Sequence, residues 1–219
     1  MAENTWRELC VSGVTADTPK RILLNACVLY KNFKYDTSKK LWTGTLLGAT
    51  SGGTKFTIAP EITNISVDGV LVNAKGLVQK VGETAKVETN MVELTKDWLK
   101  ATTIGKEGTS VDETMDVIES KATIEDGDYV ENFACVGYKT NGTPVIVLFD
   151  YALCTSGLSA DTKNKEASTI PTTFDCYAEL KVGAMTNVLP YHIYMPKEVV
   201  ESNTVDQLLD DAAQTKEDK

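Results

Sequence analysis

The alternation of residues 82–92 constrains the fold of this chain more than any other pattern. Apolar or uncharged side chains at Ala85, Val87, Thr89 and Met91 point one way, whereas Lys86, Glu88 and Asn90 point the other way. A period of two residues is typical of an antiparallel strand that buries one face and exposes the other. The pattern therefore predicts an antiparallel sheet with one face on a core.

Further apolar segments of strand length flank this one. They are residues 21–30 with a continuation through 35, 61–72, 77–81, 128–138, 144–154, 170–182 and 188–195. Asn141-Gly142 joins the segments 128–138 and 144–154, and this dipeptide favours tight hairpin turns because both residues tolerate positive φ. These segments predict several antiparallel strands, of which 128–138 and 144–154 form a hairpin.

Residues 145–149 are apolar without alternation, which in an antiparallel sheet implies cover on both faces. A helix of the same chain or a neighbouring subunit would supply the second cover. Val145, Val147 and Phe149 are accordingly predicted to lie in a subunit interface or in the core.

One helix is predicted after the alternating strand. Thr95 is suited to its N-cap, Asp97 lies in the positive first turn, and Trp98 and Leu99 form a buried face. The helix should end before Gly105, and residues 111–120 are predicted as a weak helix or a strand within a loop.

Residues 36–55 are rich in glycine, serine, threonine and lysine, and they are predicted to form a long loop. This loop carries four large apolar residues, Leu41, Trp42, Leu46 and Leu47. Exposed apolar side chains and long loops both indicate interaction surfaces. The fold class expected from these elements is mainly β: an antiparallel β-sandwich or barrel with one flanking α-helix, a long loop and terminal arms.

The domain expectation is one large unit with an arm at each end. Hydrophobic residues make up 42% of the 219 residues, which is enough for one sizeable core. Residues 1–20 are predicted as an N-terminal arm, 21–195 as the β domain and 196–219 as an acidic C-terminal arm. A capping-box pattern at Thr204-Val205-Asp206-Gln207 indicates a helix within the C-terminal arm.

The charge of the chain excludes nucleic-acid binding through phosphate neutralisation. The net charge is −9, so the mean field repels phosphate groups. No apolar run reaches the length of a membrane span, and the N-terminal residues do not resemble a secretory signal. We expect a soluble protein that is made in a cytosol and has no contact with membranes.

The residues that usually carry chemistry are few and scattered, so we expect a protein that is not an enzyme and holds no cofactor or metal. Five cysteines lie far apart in sequence, and the single histidine, His192, cannot build a histidine-rich metal site. The glycine-rich segment 48–55 is not a phosphate loop, because Thr54 stands where lysine is required and Pro60 follows closely.

Two alternatives to a purely structural protein remain open. One is an enzyme that pairs Cys154 or Cys135 with His192. The other is a β-sandwich binding or adhesion module, although an aromatic content of 7% is low for an aromatic-lined sugar platform.

The order of elements and several short phrases resemble the major tail (tail tube) proteins of tailed bacteriophages with long non-contractile tails. The phrases are ISVDGVLV at 65–72, KGL at 75–77, LTKDWL at 94–99, PVIVLF at 144–149 and GLS at 157–159. The likeness extends over residues 23–194. Tubes of phage-tail-like bacteriocins and of contractile secretion systems share the fold and are the alternative within this class.

The resemblance implies a structural function. Such proteins form hexameric rings that stack into a hollow tube around a tape-measure protein, and DNA passes through the lumen during ejection without specific binding. The tube meets a tail terminator and distal tail proteins at its ends. The protein would assemble in the cytoplasm of the bacterial host and reside in the virion tail, with Leu41, Trp42, Leu46 and Leu47 as a ring-stacking loop.

Overall fold

The structure is a computed structural model that describes residues 14–15, 17–162, 164–180 and 189–197. Its strands are β1 Leu23–Asp36, β2 Leu41–Leu46, β3 Thr50–Asn64, β4 Val78–Met91, β5 Gly105–Glu107, β6 Ile118–Ser120, β7 Val130–Lys139, β8 Pro144–Cys154, β9 Ile170–Tyr177 and β10 Tyr191–Tyr194. The helices are α1 Thr18–Arg21 and α2 Lys96–Thr103, with a short 3₁₀ helix at Asp126–Asp128. The expectation of a mainly β, antiparallel fold with a flanking helix is confirmed.

Eight of the described strands form one antiparallel sheet. Seven follow the order β2-β1-β7-β8-β9-β4-β3, and β10 pairs with the first half of β8. The β7–β8 hairpin predicted from Asn141-Gly142 is present, with Val130 opposite Ala152 and Tyr138 opposite Pro144. The strands β5 and β6 form a separate two-stranded sheet.

The core lies against one face of the large sheet. Alternate residues of β4, namely Ala85, Val87, Thr89 and Met91, are buried as the alternation predicts. They meet core side chains from β1, β7, β8 and β9, including Phe133 and Phe174, whose rings lie 4.7 Å apart. The hydrophobic face of the sheet thus holds the domain together.

Helix α2 covers this core face as predicted. The Trp98 backbone N–H donates to Thr95 Oγ1 at 3.2 Å, so Thr95 is the N-cap, and the helix ends at Ile104 in the left-handed conformation. The Trp98 side chain is fully buried and Leu99 packs against the same cluster. Asp97, in the first turn, accepts from Lys31 at 2.6 Å and ties the helix to β1.

The second face of β8 is also covered, which confirms the prediction for residues 145–149. Ile146 and Leu148 are buried on this face, and the cover comes from aromatic residues of β1 and β2. Phe33 of β1 stacks on Trp42 of β2 with ring centroids 5.3 Å apart. Both covers therefore come from the same chain: α2 lies on the core face of β8, and residues of β1 and β2 cover the other face.

The prediction of a long loop at residues 36–55 is wrong. Only residues 37–40 turn, after which β2 pairs with β1 and β3 begins at Thr50. The glycine and threonine content of this segment is typical of a loop, yet residues 41–46 form a strand because they pair with β1. Tyr35 lies opposite Trp42, and Tyr30 lies opposite Leu46. Strand propensity depends strongly on context, and here pairing with β1 stabilises the extended conformation of β2.

The strand predicted over residues 61–72 also needs correction. Strand β3 ends at Asn64, and two turns follow before β4 begins at Val78. In residues 111–120, only Ile118–Ser120 forms a strand. Most of the N-terminal arm, residues 181–188, the capping box and the rest of the C-terminal arm lie outside the described residues.

Candidate assembly surface

The hairpin of β3 and β4 extends beyond the rest of the sheet. Strand β4 pairs with β9 only between Lys86 and Met91, whereas its pairing with β3 continues to Val78 opposite Asn64. The eight residue steps from Lys86 to Val78 correspond to about 26 Å of strand. Residues 61–82, the outer part of this hairpin and its tip, are here called the arm.

Two glycine turns shape the tip of the arm. The Val70 N–H donates to the Val67 carbonyl at 3.1 Å around Gly69, and the Leu77 N–H donates to the Ala74 carbonyl at 3.1 Å around Gly76. Both glycines have positive φ, 86° and 99°, which side chains with a Cβ adopt at a cost. The turns hold the tip in a defined shape that presents residues 70–72.

The arm exposes an unusual amount of apolar surface. Leu71 is 97% exposed and Val72 is 77% exposed. Six further large apolar side chains of the arm are exposed: Ile62, Ile65, Val67, Val70, Val78 and Val81. Because a contiguous exposed apolar patch is typical of an interaction site, the arm is the candidate assembly surface.

The base of the arm is fixed by polar contacts. The Glu83 carboxylate accepts from Lys80 Nζ at 2.8 Å and from the Tyr191 hydroxyl at 3.3 Å. The Glu83 side chain is 6% exposed and the Lys80 side chain 46%, so only the carboxylate end of this contact is shielded from solvent. The contact joins the arm to β10 and to the main sheet, so that the exposed tip stands on a supported base.

The four residues predicted to stack rings do not form one surface. Leu47 is 3% exposed and packs in the main core, so it is not available to a partner. Trp42 is half-buried among Phe33, Tyr35 and Tyr194. Leu41 and Leu46 are exposed at opposite ends of β2.

Of the three residues predicted in a subunit interface or core, two belong to the core. Val147 and Phe149 are buried in the main cluster against Cys135 and Phe133, their partners on β7. Val145 is half-buried near the start of β8. The core alternative therefore applies to Val147 and Phe149.

The structure does not bring the candidate cysteine–histidine pairs together. Cys135 lies opposite Val147 on the core face, whereas His192 lies opposite Leu148 on the other face of the sheet. Cys154 is also buried in the core. The His192 imidazole instead lies 3.4 Å from Asp150 at the surface.

The described cysteines are free and buried, as the apolar runs around them predict. Burial raises the pKa of the Cys176 thiol to about 12, with further contributions from Asp150 and Glu83. The hydrogen bond to Cys27, together with burial, raises the pKa of Cys135 well above its usual range. Both thiols are protonated at neutral pH, which disfavours nucleophilic chemistry because the thiolate is the reactive form. Cys10 lies outside the described residues.

Within the glycine-rich segment 48–55, strand β3 begins at Thr50, whereas a phosphate loop would lead into a helix. In the part of the chain that the structure describes, no three metal-binding side chains cluster. The helices among these residues are too short or too polar to cross a membrane.

No protein-family model matches the chain, and no curated protein matches it.

Leu71 and Val72 are not among the site residues predicted from the sequence. The signal that identifies them is the apolar run Val70-Leu71-Val72 between the turn dipeptides Asp68-Gly69 and Lys75-Gly76. This run lies in the connection between β3 and β4, and the structure leaves it exposed.

Proposed function

We propose that this chain is the tail tube subunit of a tailed bacteriophage with a long non-contractile tail, and that it resides in the virion tail. The observation that carries the proposal is the arm, a supported hairpin with an exposed apolar tip. Its position in sequence coincides with the phrase at 65–72 on which the resemblance to tail tube proteins rests.

The arm gives a physical reason for stacking. Packing of the apolar tip of one copy on a different surface of the next copy would make a heterologous, head-to-tail contact. Heterologous contacts propagate without closing when they run along an axis, which is how rings stack into a tube. The only charged residues between Asn64 and Val78 are Asp68 and Lys75, so burying the tip incurs little desolvation of charge.

The charge of the chain suits the lumen of such a tube. A net charge of −9 per subunit, repeated around each ring and along the tube, repels the phosphates of DNA. DNA then slides through without the counterion release that drives non-specific binding. The tape-measure protein fills the lumen before ejection, and terminator and distal tail proteins close its two ends.

Electron microscopy of the concentrated purified protein tests this function. The proposal predicts rings or tubes with a central channel. A strictly monomeric species at the highest attainable concentration, with the native fold verified by circular dichroism, would argue against it.

A further inference from the structure

A cleft lined by tyrosines and carboxylates crosses the surface of β7, β8 and β9. The described residues that line it include Asp126, Tyr129, Glu131, Tyr151, Tyr177 and Glu179. Glu131 lies opposite Tyr151, which lies opposite Tyr177, so the three form one row across the sheet. We call this surface the tyrosine cleft.

The row points away from the core. Val130 and Ala152 form the adjacent strand pair and pack on the core side, and Cys176, the neighbour of Tyr177, is also a core residue. Because successive side chains of a strand alternate between faces, Glu131, Tyr151 and Tyr177 face outward. The Tyr129 ring meets the Tyr177 ring edge-on at 5.8 Å and forms a wall of the cleft.

Three carboxylates line the cleft, whereas Lys31 and Lys100 line a neighbouring pocket that shares Asp126 and Glu131. Among the described residues, no lysine or arginine forms an ion pair with Asp126, Glu131 or Glu179, and none lines the cleft. The negative charge of Glu179, with smaller effects of burial and of other carboxylates, raises the pKa of Tyr151. Carboxylates beside the faces of tyrosine rings are suited to bind a cationic side chain.

A matching basic surface exists elsewhere on the same chain. The end of β1 and the turn that follows it expose three lysines, Lys34, Lys39 and Lys40. The same segment contains one carboxylate, Asp36. Asp36 accepts from the Ser38 and Lys39 N–H groups at 2.9 and 3.1 Å, so it fixes the turn from within. We call residues 34–40 the lysine turn.

The lysine turn and the tyrosine cleft lie at the same end of the sheet. Tyr30 of β1 is opposite Ala134 of β7, so the part of β1 beyond Tyr30 runs past the start of β7, where Glu131 lies. No ion pair joins the lysine turn to the cleft of its own chain in the described structure; Lys39 pairs only with Asp36, at 3.9 Å. Within the described residues, the lysine turn and the cleft are thus not paired with each other.

We propose that the tyrosine cleft of one copy binds the lysine turn of a neighbouring copy. The inference rests on the proposed function and adds the lateral contact that builds one ring. The two surfaces differ, so the contact is heterologous, and a heterologous contact closes into a ring when the rotation between neighbours permits. Charge complementarity sets the register of the neighbours, as it does in other interfaces.

A charge-exchange experiment tests the contact. The cleft variant is E131K/E179K and the turn variant is K39E/K40E. Each alone places like charges in the contact, and we expect the protein concentration at half-assembly to rise by roughly tenfold or more, measured by light scattering. An equimolar mixture of the two variants should restore assembly, because each reversed surface then meets a reversed partner.

Matched controls separate this contact from a general effect of charge. The variant E113K/D161K changes the net charge as the cleft variant does, at exposed positions outside the cleft, and it should assemble like the unmodified protein. Circular dichroism verifies that every variant is folded. Normal assembly of the cleft or turn variant overturns the inference, and so does a mixture that fails to assemble.

The outcomes also distinguish this inference from the proposed function. If the unmodified protein forms tubes and the charge variants do so equally well, the lateral contact is wrong and the tube function stands. If the unmodified protein stays monomeric under all conditions, the proposed function fails and the contact fails with it. Equal binding of a peptide with the lysine turn sequence to the unmodified protein and to the cleft variant would overturn the inference.

Discussion

Replacing the two most exposed residues of the arm, in the variant L71S/V72S, should abolish tube formation without unfolding the subunit. Both side chains are almost fully solvated in the single chain, at 97% and 77% exposure. Transfer of a leucine or valine side chain from water to an apolar contact is worth about 2 kcal/mol. The two together therefore contribute about 4 kcal/mol to each arm contact.

This energy corresponds to about three orders of magnitude in the association constant of one contact, because about 1.4 kcal/mol is a factor of ten. The assay is sedimentation of assembled material over a concentration series, with electron microscopy of the pellet. The free energy of unfolding of the monomer should change by less than about 0.5 kcal/mol, since surface substitutions away from packed residues have small effects.

The matched control is L94S/V111S, which exchanges one leucine and one valine that are exposed outside the arm. It should assemble at the concentration of the unmodified protein. If L71S/V72S is folded and assembles as readily as this control, the arm does not carry the contact and the stacking argument is refuted.

Three further substitutions or reactions test the fold and its chemistry. Thr95→Ala removes the N-cap of α2 and should lower the free energy of unfolding by about 1 kcal/mol in chemical denaturation, and an unchanged midpoint would contradict the capping role. Phe149→Ala empties a fully buried site and should cost about 3–5 kcal/mol, whereas a loss below 1 kcal/mol would place Phe149 outside the core. Burial raises the pKa of Cys176 to about 12, so its thiol should resist alkylation at pH 8 in the folded protein and react on unfolding. Mass spectrometry of the modified peptide measures both reactions. Rapid modification of the native state would contradict the burial of Cys176.

The elements that the sequence predicts well are those whose own residues determine them. The alternation from Ala85 to Met91 matches the buried face of β4, and Thr95 caps α2 because its side chain accepts from the third residue of the same helix. The β7–β8 hairpin follows from its Asn141-Gly142 turn. In each case the physical signal is local, so a short window of sequence contains it.

The elements that the sequence misses depend on partners far along the chain. Strand β2 has a central Thr43-Gly44-Thr45 and lies in a segment rich in glycine and threonine, and it forms a strand because β1 pairs with it and Phe33 stacks on Trp42. Leu47 looks like an exposed loop residue in sequence, yet its N–H donates to the Leu29 carbonyl at 2.9 Å and its side chain enters the core. Because tertiary contacts bury Leu47 and partly bury Trp42, the candidate site is the exposed arm and not residues 41–47.

The conformation and exposure of the arm could not be predicted from its apolar pattern. Residues 61–72 have the composition of a strand, but β3 ends at Asn64. After one more bond, from the Ile65 N–H to the Leu77 carbonyl, the chain turns at Gly69 and Gly76. The sequence shows which residues are apolar, whereas their exposure depends on whether other segments of the chain pack on them. For Leu71 the described structure supplies almost none, and a second copy of the chain is the proposed source.

Cross-linking between copies measures the contact of the arm most directly. An equal mixture of isotopically light and heavy protein is assembled and treated with a lysine-reactive cross-linker, and the linked peptides of Lys75, at the tip of the arm, are analysed by mass spectrometry. The account predicts mixed light–heavy cross-links from Lys75 in assembled protein and their loss in L71S/V72S. Cross-links from Lys75 that join only residues of the same copy, in material that has formed tubes, would contradict the central claim that the arm joins one subunit to the next.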